Sequence, residues 1–299
     1  MAKRIALLSN CLANQNAKVA EYEVVPGALT PVLALLRDAG FTIRQMPCPE
    51  MTYMGCGRWW QVRAQYDTPG YRNHCTALAT GIADLLAGEG AISDLVFLGV
   101  DGSPSSGVSV TDSGSDWGGR PGPRPVELAR GPGVWSEILA QCLAERGFAG
   151  LRMIGIGTEL PGYDPQTELG RLATFLASGQ SLAEVPLPAG DNVLPEAGGE
   201  AAQAVQRSRR LLVVGDRAMN APDAALLAFE AGGWGELQLP AADLPGAARI
   251  LSWIADEIED YLRNAHQVAA HSALIGDPAL AMLNRELVSR GLQPLTPMA

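Results

Sequence analysis

The stretch ISDLVFLGV at positions 92–100 is an apolar run of the kind that forms a strand buried on both faces of a parallel sheet. Other strand-like runs lie before and after it, separated by segments with the apolar spacing of helices. The strand-like runs are residues 4–8, 41–46 and 151–156, and the helical segments are residues 26–39, 58–66, 69–87 and 131–146. This alternation predicts an α/β fold, in which a parallel sheet with flanking helices has right-handed crossovers, as in flavodoxin-like or Rossmann-like proteins.

The pattern weakens after Pro161, which divides the chain into three parts. Residues 1–160 form the α/β domain. Residues 161–204 contain a helix (166–177) and a linker rich in proline, glycine and alanine (184–202). Residues 205–299 form an α/β C-terminal extension of unknown role, with strands predicted at 210–214 and 235–239 and helices at 221–231, 247–264 and 278–290.

Composition narrows the classes of function. Of the 299 residues, 47% are hydrophobic and 18% are charged, which fits a globular protein with a well-filled core. The net charge of −10 argues against a nucleic-acid partner, because phosphate binding needs a concentrated basic surface. No segment approaches the roughly 20 apolar residues that span a bilayer, and the apolar run after Arg4 is too short for a signal peptide. We therefore expect a cytoplasmic protein that acts on a small molecule, without a nucleic-acid or membrane partner.

Five cysteines form an odd set without regular spacing: Cys11, Cys48, Cys56, Cys75 and Cys142. Disulfides are not expected in a cytoplasmic protein of this size, so each cysteine is either buried filler, a metal ligand or a reactive thiol. Three histidines are present, and none has the spacing to a cysteine pair that a structural zinc site requires.

Two of these cysteines follow predicted neighbouring strands. Cys11 comes after the first strand and Cys48 after the second, while residues 101–107 (DGSPSSG) follow the third. Ligands bind parallel sheets beyond the carboxyl ends of the strands, so we expect these segments to converge on one site. Two cysteines at such an edge can ligate iron or present a thiolate, whose negative charge helix ends and turn amides stabilise. Glu50 is placed to donate or accept a proton.

Each of the other polar and aromatic candidates has two possible interpretations. Asp101 either caps the turn after the third strand or takes part in proton transfer. Trp59 and Trp60 either stack on a flat heterocycle or serve as packing. The group Arg58, Arg63, Tyr66 and Asp67 either forms a polar wall above the site or lies on a solvated helix face, and the solvated face is the expectation. The loop at 103–133 is either a lid or a passive connection.

Several short motifs resemble one known family. They are Cys11-Leu12-Ala13-Asn14, Pro47-Cys48-Pro49-Glu50, Gly102-Ser103-Pro104-Ser105-Ser106-Gly107, Arg58-Trp59-Trp60 and Gln65-Tyr66-Asp67-Thr68-Pro69. Over roughly residues 1–160, the chain resembles the 2-thiouracil desulfidase (TudS) family and the desulfidases related to it. The resemblance implies a 4Fe–4S cluster held by three cysteines, whose open iron takes sulfur from a thiocarbonyl substrate such as a thio-pyrimidine and releases the oxo product and sulfide.

The resemblance also assigns roles to individual residues. Cys11 and Cys48 match the first two cluster ligands, Glu50 matches the family's glutamate, and Ser103 and Ser105 match the serines of its third motif. Where the family has its third cysteine, this chain has Ser106. An alkoxide is a harder and more basic ligand than a thiolate, so a cluster held by two cysteines would be labile or absent.

Three explanations of Ser106 follow. Cys56 or Cys75 replaces the missing ligand, or Ser106 is an engineered substitution, or the chain is a natural variant with altered function.

The leading hypothesis is an iron–sulfur desulfidase in which Glu50 and Asp101 manage protons and residues 103–107 line the substrate. One alternative is a small-molecule binding or sensor protein that lacks the cluster. The other is metal-free thiolate chemistry by Cys11 or Cys48.

Overall fold

The computed structural model of the protein describes residues 2–20, 22–25, 27–114, 117, 127–178, 211–215, 235–264, 266–271, 274 and 276–297. Its first half contains a four-stranded parallel sheet in the order β2-β1-β3-β6. The strands are β1 (Lys3–Leu8), β2 (Thr42–Gln45), β3 (Ile92–Val100) and β6 (Arg152–Ile156). The predicted α/β fold is therefore confirmed, and the loops after β1, β2 and β3 leave the same edge of the sheet.

Helices cover both faces of this sheet because side chains alternate between the faces along each strand. Ala6, Leu8 and Leu98 face the core on the side of α2 (Thr30–Asp38) and α7 (Pro165–Ser178). Ile5, Leu7 and Phe97 face the core on the side of α5 (Pro69–Gly88) and α6 (Val134–Glu145). The helices of this half are α1 (Asn10–Ala13), α2 (Thr30–Asp38), α3 (Met51–Met54), α4 (Arg63–Tyr66), α5 (Pro69–Gly88), α6 (Val134–Glu145) and α7 (Pro165–Ser178).

Two predicted helices begin four or five residues later in the structure than the sequence predicts. The helix predicted from residue 26 begins at Thr30, because the backbone before it bonds to the loop after β1, with the Leu29 N–H donating to the Leu12 carbonyl at 2.9 Å. The helix predicted over 58–66 spans only Arg63–Tyr66. Residues 58–62 have no regular secondary structure, and the Arg58 side chain donates a hydrogen bond to Glu50.

The predicted loop at 103–133 contains regular structure. Strands β4 (Val110–Ser113) and β5 (Glu127–Arg130) pair in antiparallel fashion. Apart from Trp117, the residues between Gly114 and β5 lie outside the described residues. Neither strand was predicted, because the high density of glycine, proline and serine here gives no alternation of apolar and polar side chains.

The C-terminal half contributes a second, three-stranded parallel sheet in the order β8-β7-β9. Its strands are β7 (Leu211–Val214), β8 (Gly235–Leu237) and β9 (Gln267–Ala270), and its helices are α8 (Ala247–Arg263) and α9 (Pro278–Ser289). The strand β9 was not predicted. The predicted linker at 184–202 and the predicted helix at 221–231 lie outside the described residues. In the described ranges, no helix combines the length and the apolar character needed to cross a bilayer.

The second sheet abuts the edge strand β2 through two glutamines. The Gln45 N–H donates to Gln238 Oε1 at 3.1 Å, and the Gln238 N–H donates to Gln45 Oε1 at 3.0 Å. On the same side, α8 packs closely on α5, where a Cβ added to Gly81 would lie 2.9 Å from the ring of Trp253. These contacts place α8 behind the loops that follow β1 and β2.

Candidate active site

A cavity of about 630 Å³, counting its solvent-filled mouth, lies beyond the carboxyl ends of β1, β2 and β3. Its walls come mainly from the loops that follow these strands, as expected for a parallel sheet. The predicted site residues that line it are Cys11, Cys48, Glu50, Ser103, Ser105 and Ser106. The strand order thus brings the three sequence motifs into one hollow.

Of the two cavity thiols, Cys48 is buried and Cys11 is partly buried. Burial raises the pKa of Cys11 to about 12, and the charge of Lys18 opposes this rise only in part. Burial also raises the pKa of Cys48, against the opposing charge of Arg58. The sulfur of Cys48 accepts a hydrogen bond from the Met51 N–H at 3.4 Å and lies 3.9 Å from Arg58 Nη2. Without a metal ion, both side chains are therefore neutral thiols at pH 7.

Glu50 lies at the centre of a buried hydrogen-bond network. Arg58 Nε donates to Glu50 Oε2 at 3.0 Å, and the Tyr66 hydroxyl donates to the same oxygen at 3.1 Å. The Ser105 hydroxyl donates to Glu50 Oε1. Arg58 is held in turn by the Ala17 carbonyl at 2.8 Å. Three donors therefore fix the position of this carboxylate beside the cavity.

The structure corrects the expectation that Arg58 and Tyr66 lie on a solvated helix face. Both side chains are buried and line the cavity. Burial alone would lower the pKa of Arg58, but the neighbouring charge of Glu50 raises it above its usual value. Arg63 and Asp67, from the same predicted group, form a partly exposed ion pair at 2.8 Å. Neither of them is a cavity residue.

A second ion pair, which is largely buried, lies in the cavity wall. Lys18 Nζ lies 2.6 Å from Glu159 Oε1 and donates to Thr158 Oγ1 at 3.2 Å. Burial raises the pKa of Glu159, while the charge of Lys18 opposes the rise. Neither residue is predicted from the sequence, because the two lie 141 positions apart and neither belongs to a recognisable motif.

The serine turn after β3 is held by its own hydroxyls. The Ser106 N–H and the Ser106 hydroxyl each donate to Ser103 Oγ, both at 3.2 Å. Ser105 reaches across the cavity to Glu50. Position 106 therefore presents a hydroxyl that is hydrogen-bonded to a neighbouring serine.

Asp101 takes the first of its two predicted roles. Its Oδ1 accepts from the backbone N–H groups of Val108, Ser109 and Val110 at 2.9, 2.8 and 3.3 Å, which caps the turn after β3. Burial raises its pKa, and these three hydrogen bonds oppose the rise. Asp101 is buried behind the turn and is not among the cavity residues, so the geometry does not place it for proton transfer to a ligand.

Cys56 and Cys75 are not placed to replace the missing ligand. Both are buried in the hydrophobic core, and neither lines the cavity. The Cys56 N–H is bonded to Asp260 of α8, and burial raises the pKa of Cys75 to about 12.

The donor set in the cavity is thus two thiols and one hydroxyl. A cluster held by three cysteines needs three thiolates, so the residues present do not fit it. In the part of the chain that the structure describes, no three His, Cys, Asp or Glu side chains are grouped as ligands of a metal ion would be.

Aromatic side chains form part of the cavity mouth. Trp60 lines the cavity and meets Trp117 edge to face, with ring centroids 4.1 Å apart. Trp59 points away and is half exposed. Of the two predicted tryptophans, Trp60 is therefore the one placed to contact a ligand.

The C-terminal half reaches the site through Glu257 of α8. Glu257 Oε1 accepts from the Cys48 N–H at 3.0 Å, and both carboxyl oxygens lie 3.4 Å from Asn10 Nδ2. Burial raises the pKa of Glu257 to about 8, although these hydrogen bonds oppose the rise. The amphipathic pattern of α8 gave no signal for this role, because Glu257 falls in a run of several acidic residues.

The structure is that of an α/β protein with a cavity at the carboxyl edge of its parallel sheet. Two thiols and the hydrogen-bond network around Glu50 line this cavity. Residues 4–118 match the model of a family described as "Putative 2-thiouracil desulfurase". The match confirms the resemblance and includes both thiols, Glu50 and the serine turn.

A curated protein is also similar to part of the chain. An uncharacterized protein of Methanocaldococcus jannaschii, MJ0003, is 38% identical over 84 residues, which are 28% of this chain and 54% of the relative. The alignment thus spans about half the length of that protein. No solved structure matches the chain.

Proposed function

We propose that the protein is a desulfidase that removes sulfur from the thiocarbonyl group of a small heterocycle, such as a thio-pyrimidine. The products are the oxo compound and sulfide. The observation that carries this proposal is the convergence of Cys11, Cys48, Glu50 and the serine turn in one cavity, all within the segment that matches a desulfurase family.

In its overall balance, the reaction exchanges sulfur for the oxygen of water. A carbon–oxygen bond forms, the carbon–sulfur bond breaks, and sulfur leaves with the two protons of water as hydrogen sulfide. Glu50 is suited to hold the water and accept its proton, because the carboxylate is fixed beside the cavity. Lys18 and Arg58 line the same cavity and would stabilise the negative charge that develops on the departing sulfur.

The two thiols give the cavity its affinity for sulfur. Cys11 and Cys48 are polarisable and neutral at pH 7, so they favour a soft, uncharged thiocarbonyl over a hard anion. The iron–sulfur cluster implied by the resemblance stays a prediction. It needs a third thiolate that position 106 does not offer, and no step above passes through it.

The test is sulfide release from 2-thiouracil and 4-thiouracil, with the oxo product measured in parallel by chromatography. The protein is purified without oxygen and assayed before and after treatment with iron and sulfide. We expect sulfide and uracil in equal amounts. We expect Glu50→Gln to lower the rate by about 100-fold or more, as removal of a general base does.

The matched control is Cys142→Ala, because Cys142 is a half-buried cysteine of α6 that does not line the cavity. It should keep the wild-type rate, whereas Cys48→Ala should lose it. Tight binding of thiouracil with no sulfide release under any of these conditions would overturn the desulfidase proposal and favour the binding-protein alternative.

A further inference from the structure

Two polar atoms beside the thiols have no partner within the described part of the chain. They are Ser9 Oγ and Asn10 Oδ1, which immediately precede Cys11 at the carboxyl end of β1. Both residues line the cavity, and they are only 5% and 3% exposed. Leaving such buried atoms unpaired is unfavourable, and native proteins satisfy most of them. A ligand in the cavity would supply the missing partners.

The environment of Asn10 determines which hydrogen bond it can offer. Its Nδ2 faces the carboxyl group of Glu257, with 3.4 Å to each oxygen, and Oε1 of that group also accepts from the Cys48 N–H. Because the N–H₂ end of the amide is engaged in this way, the carbonyl end remains for the ligand. Asn10 Oδ1 can only accept a hydrogen bond, so it calls for an N–H donor.

Ser9 complements this acceptor. Its hydroxyl can donate a hydrogen bond and also has lone pairs to accept one. An acceptor and a donor on adjacent residues match a ring edge in which an N–H lies next to a C=O or C=S group. Cys11 follows directly in the chain, and Cys48 lines the same cavity.

We propose that Ser9 and Asn10 are the specificity-determining residues of the cavity, and that they select a cyclic thioamide by the ring N–H beside its thiocarbonyl. This inference rests on the proposed function for the class of ligand. It also gives the C-terminal half a role, because Glu257 of α8 is the positioning residue that orients the amide of Asn10.

The experiment measures binding rather than turnover, so that the two proposals can fail separately. Isothermal titration calorimetry uses uracil, which has the ring of thiouracil with oxygen in place of sulfur, together with 1-methyluracil and 3-methyluracil, each of which lacks one ring N–H; none of the three is consumed. One of the two methylated rings should bind at least about fivefold more weakly than uracil, because it has lost the N–H that Asn10 accepts. In Asn10→Ala this discrimination should disappear.

Ser9→Ala should weaken uracil binding by about three- to tenfold. The matched control is Ser136→Ala, because the Ser136 hydroxyl is also buried and unpaired within the described residues but does not line the cavity. This control should bind uracil like the wild type. If Asn10→Ala does not fold, the preference of the wild-type protein among the three rings still tests the inference.

Three results would overturn the inference: no binding of uracil, equal binding of all three rings, or equal affinity of the Ser9→Ala and Ser136→Ala variants. If these results occur while 2-thiouracil is still desulfurated, only the inference fails. If the binding pattern appears and no sulfide is released, the desulfidase proposal fails and the recognition of the ring edge stands.

Discussion

The metal-free protein offers a direct test of whether Cys11 acts as a thiolate. Burial raises the pKa of this thiol to about 12, compared with 9.0 for the unperturbed group. At pH 7 the thiolate fraction is then about 10⁻⁵, against about 10⁻² for the unperturbed thiol, and only the thiolate reacts with alkylating agents. We therefore expect Cys11 of the folded protein to react with iodoacetamide about a thousandfold more slowly than in the unfolded chain.

Restricted access would also slow the reaction, so its pH dependence is the decisive measurement. For a thiol with a pKa of about 12, the rate should rise about tenfold per pH unit from pH 7 to pH 9.5 without levelling off. Protein freed of metal by chelation is quenched at intervals, and alkylation of the peptide that contains Cys11 is followed by mass spectrometry. The same peptide in urea serves as the reference, since its rate should level off near pH 9.

A fast reaction at pH 7, or a rate that levels off below pH 8, would refute this reasoning. It would mean that Lys18 outweighs burial and holds Cys11 as a thiolate. Metal-free nucleophilic chemistry, the third hypothesis from the sequence, would then become the best explanation of the site.

Three further predictions concern a missing ligand, a buried carboxyl group and a close backbone contact. Ser106→Cys should bind more iron than the wild type after anaerobic treatment with iron and sulfide and should gain visible absorption; equal iron content in both proteins would contradict the assignment of position 106 as the missing ligand. The pKa of Glu257 is about 8 in the folded protein and 4.5 in the unfolded chain. Raising the pH from 5 to 8 should therefore lower the free energy of unfolding of the wild type by about 3 kcal/mol, and Glu257→Gln should not show this loss. Urea unfolding at both pH values checks this, and a constant difference between the two proteins would disprove it. In Gly99→Ala the new Cβ would lie 2.1 Å from the Ser106 carbonyl oxygen, so thermal unfolding should show a loss of about 1–3 kcal/mol, whereas Gly150→Ala, with nothing within 4 Å, should show none.

The strand order and the position of the cavity follow from local sequence. The apolar runs of β1, β2 and β3 predict that Cys11, Cys48 and the serine turn lie at one edge of the sheet, and all three line the cavity in the structure. This works because the rules that govern crossovers between parallel strands leave few topologies, and because the loops after parallel strands share one side of the sheet.

The site residues that the sequence does not predict depend on contacts between distant parts of the chain. Lys18 meets Thr158 across 140 positions, and Glu257 meets Cys48 across 209. Neither contact can be predicted from the sequence, because a charged residue is expected to be exposed to solvent unless its partner is known. Arg58 was misplaced for the same reason: its burial depends on Glu50 and on the carbonyl of Ala17.

The paired glutamines at the edge of β2 have a consequence for assembly. An edge strand normally offers a row of unpaired amides to which another chain can add, a route to aggregation. Here Gln45 and Gln238 exchange backbone and side-chain hydrogen bonds, so one end of that row is already occupied from within the chain. A fragment that stopped after β6 would lose this cover together with the acceptor of the Cys48 N–H, and should self-associate through β2 as well as lose the shape of its cavity.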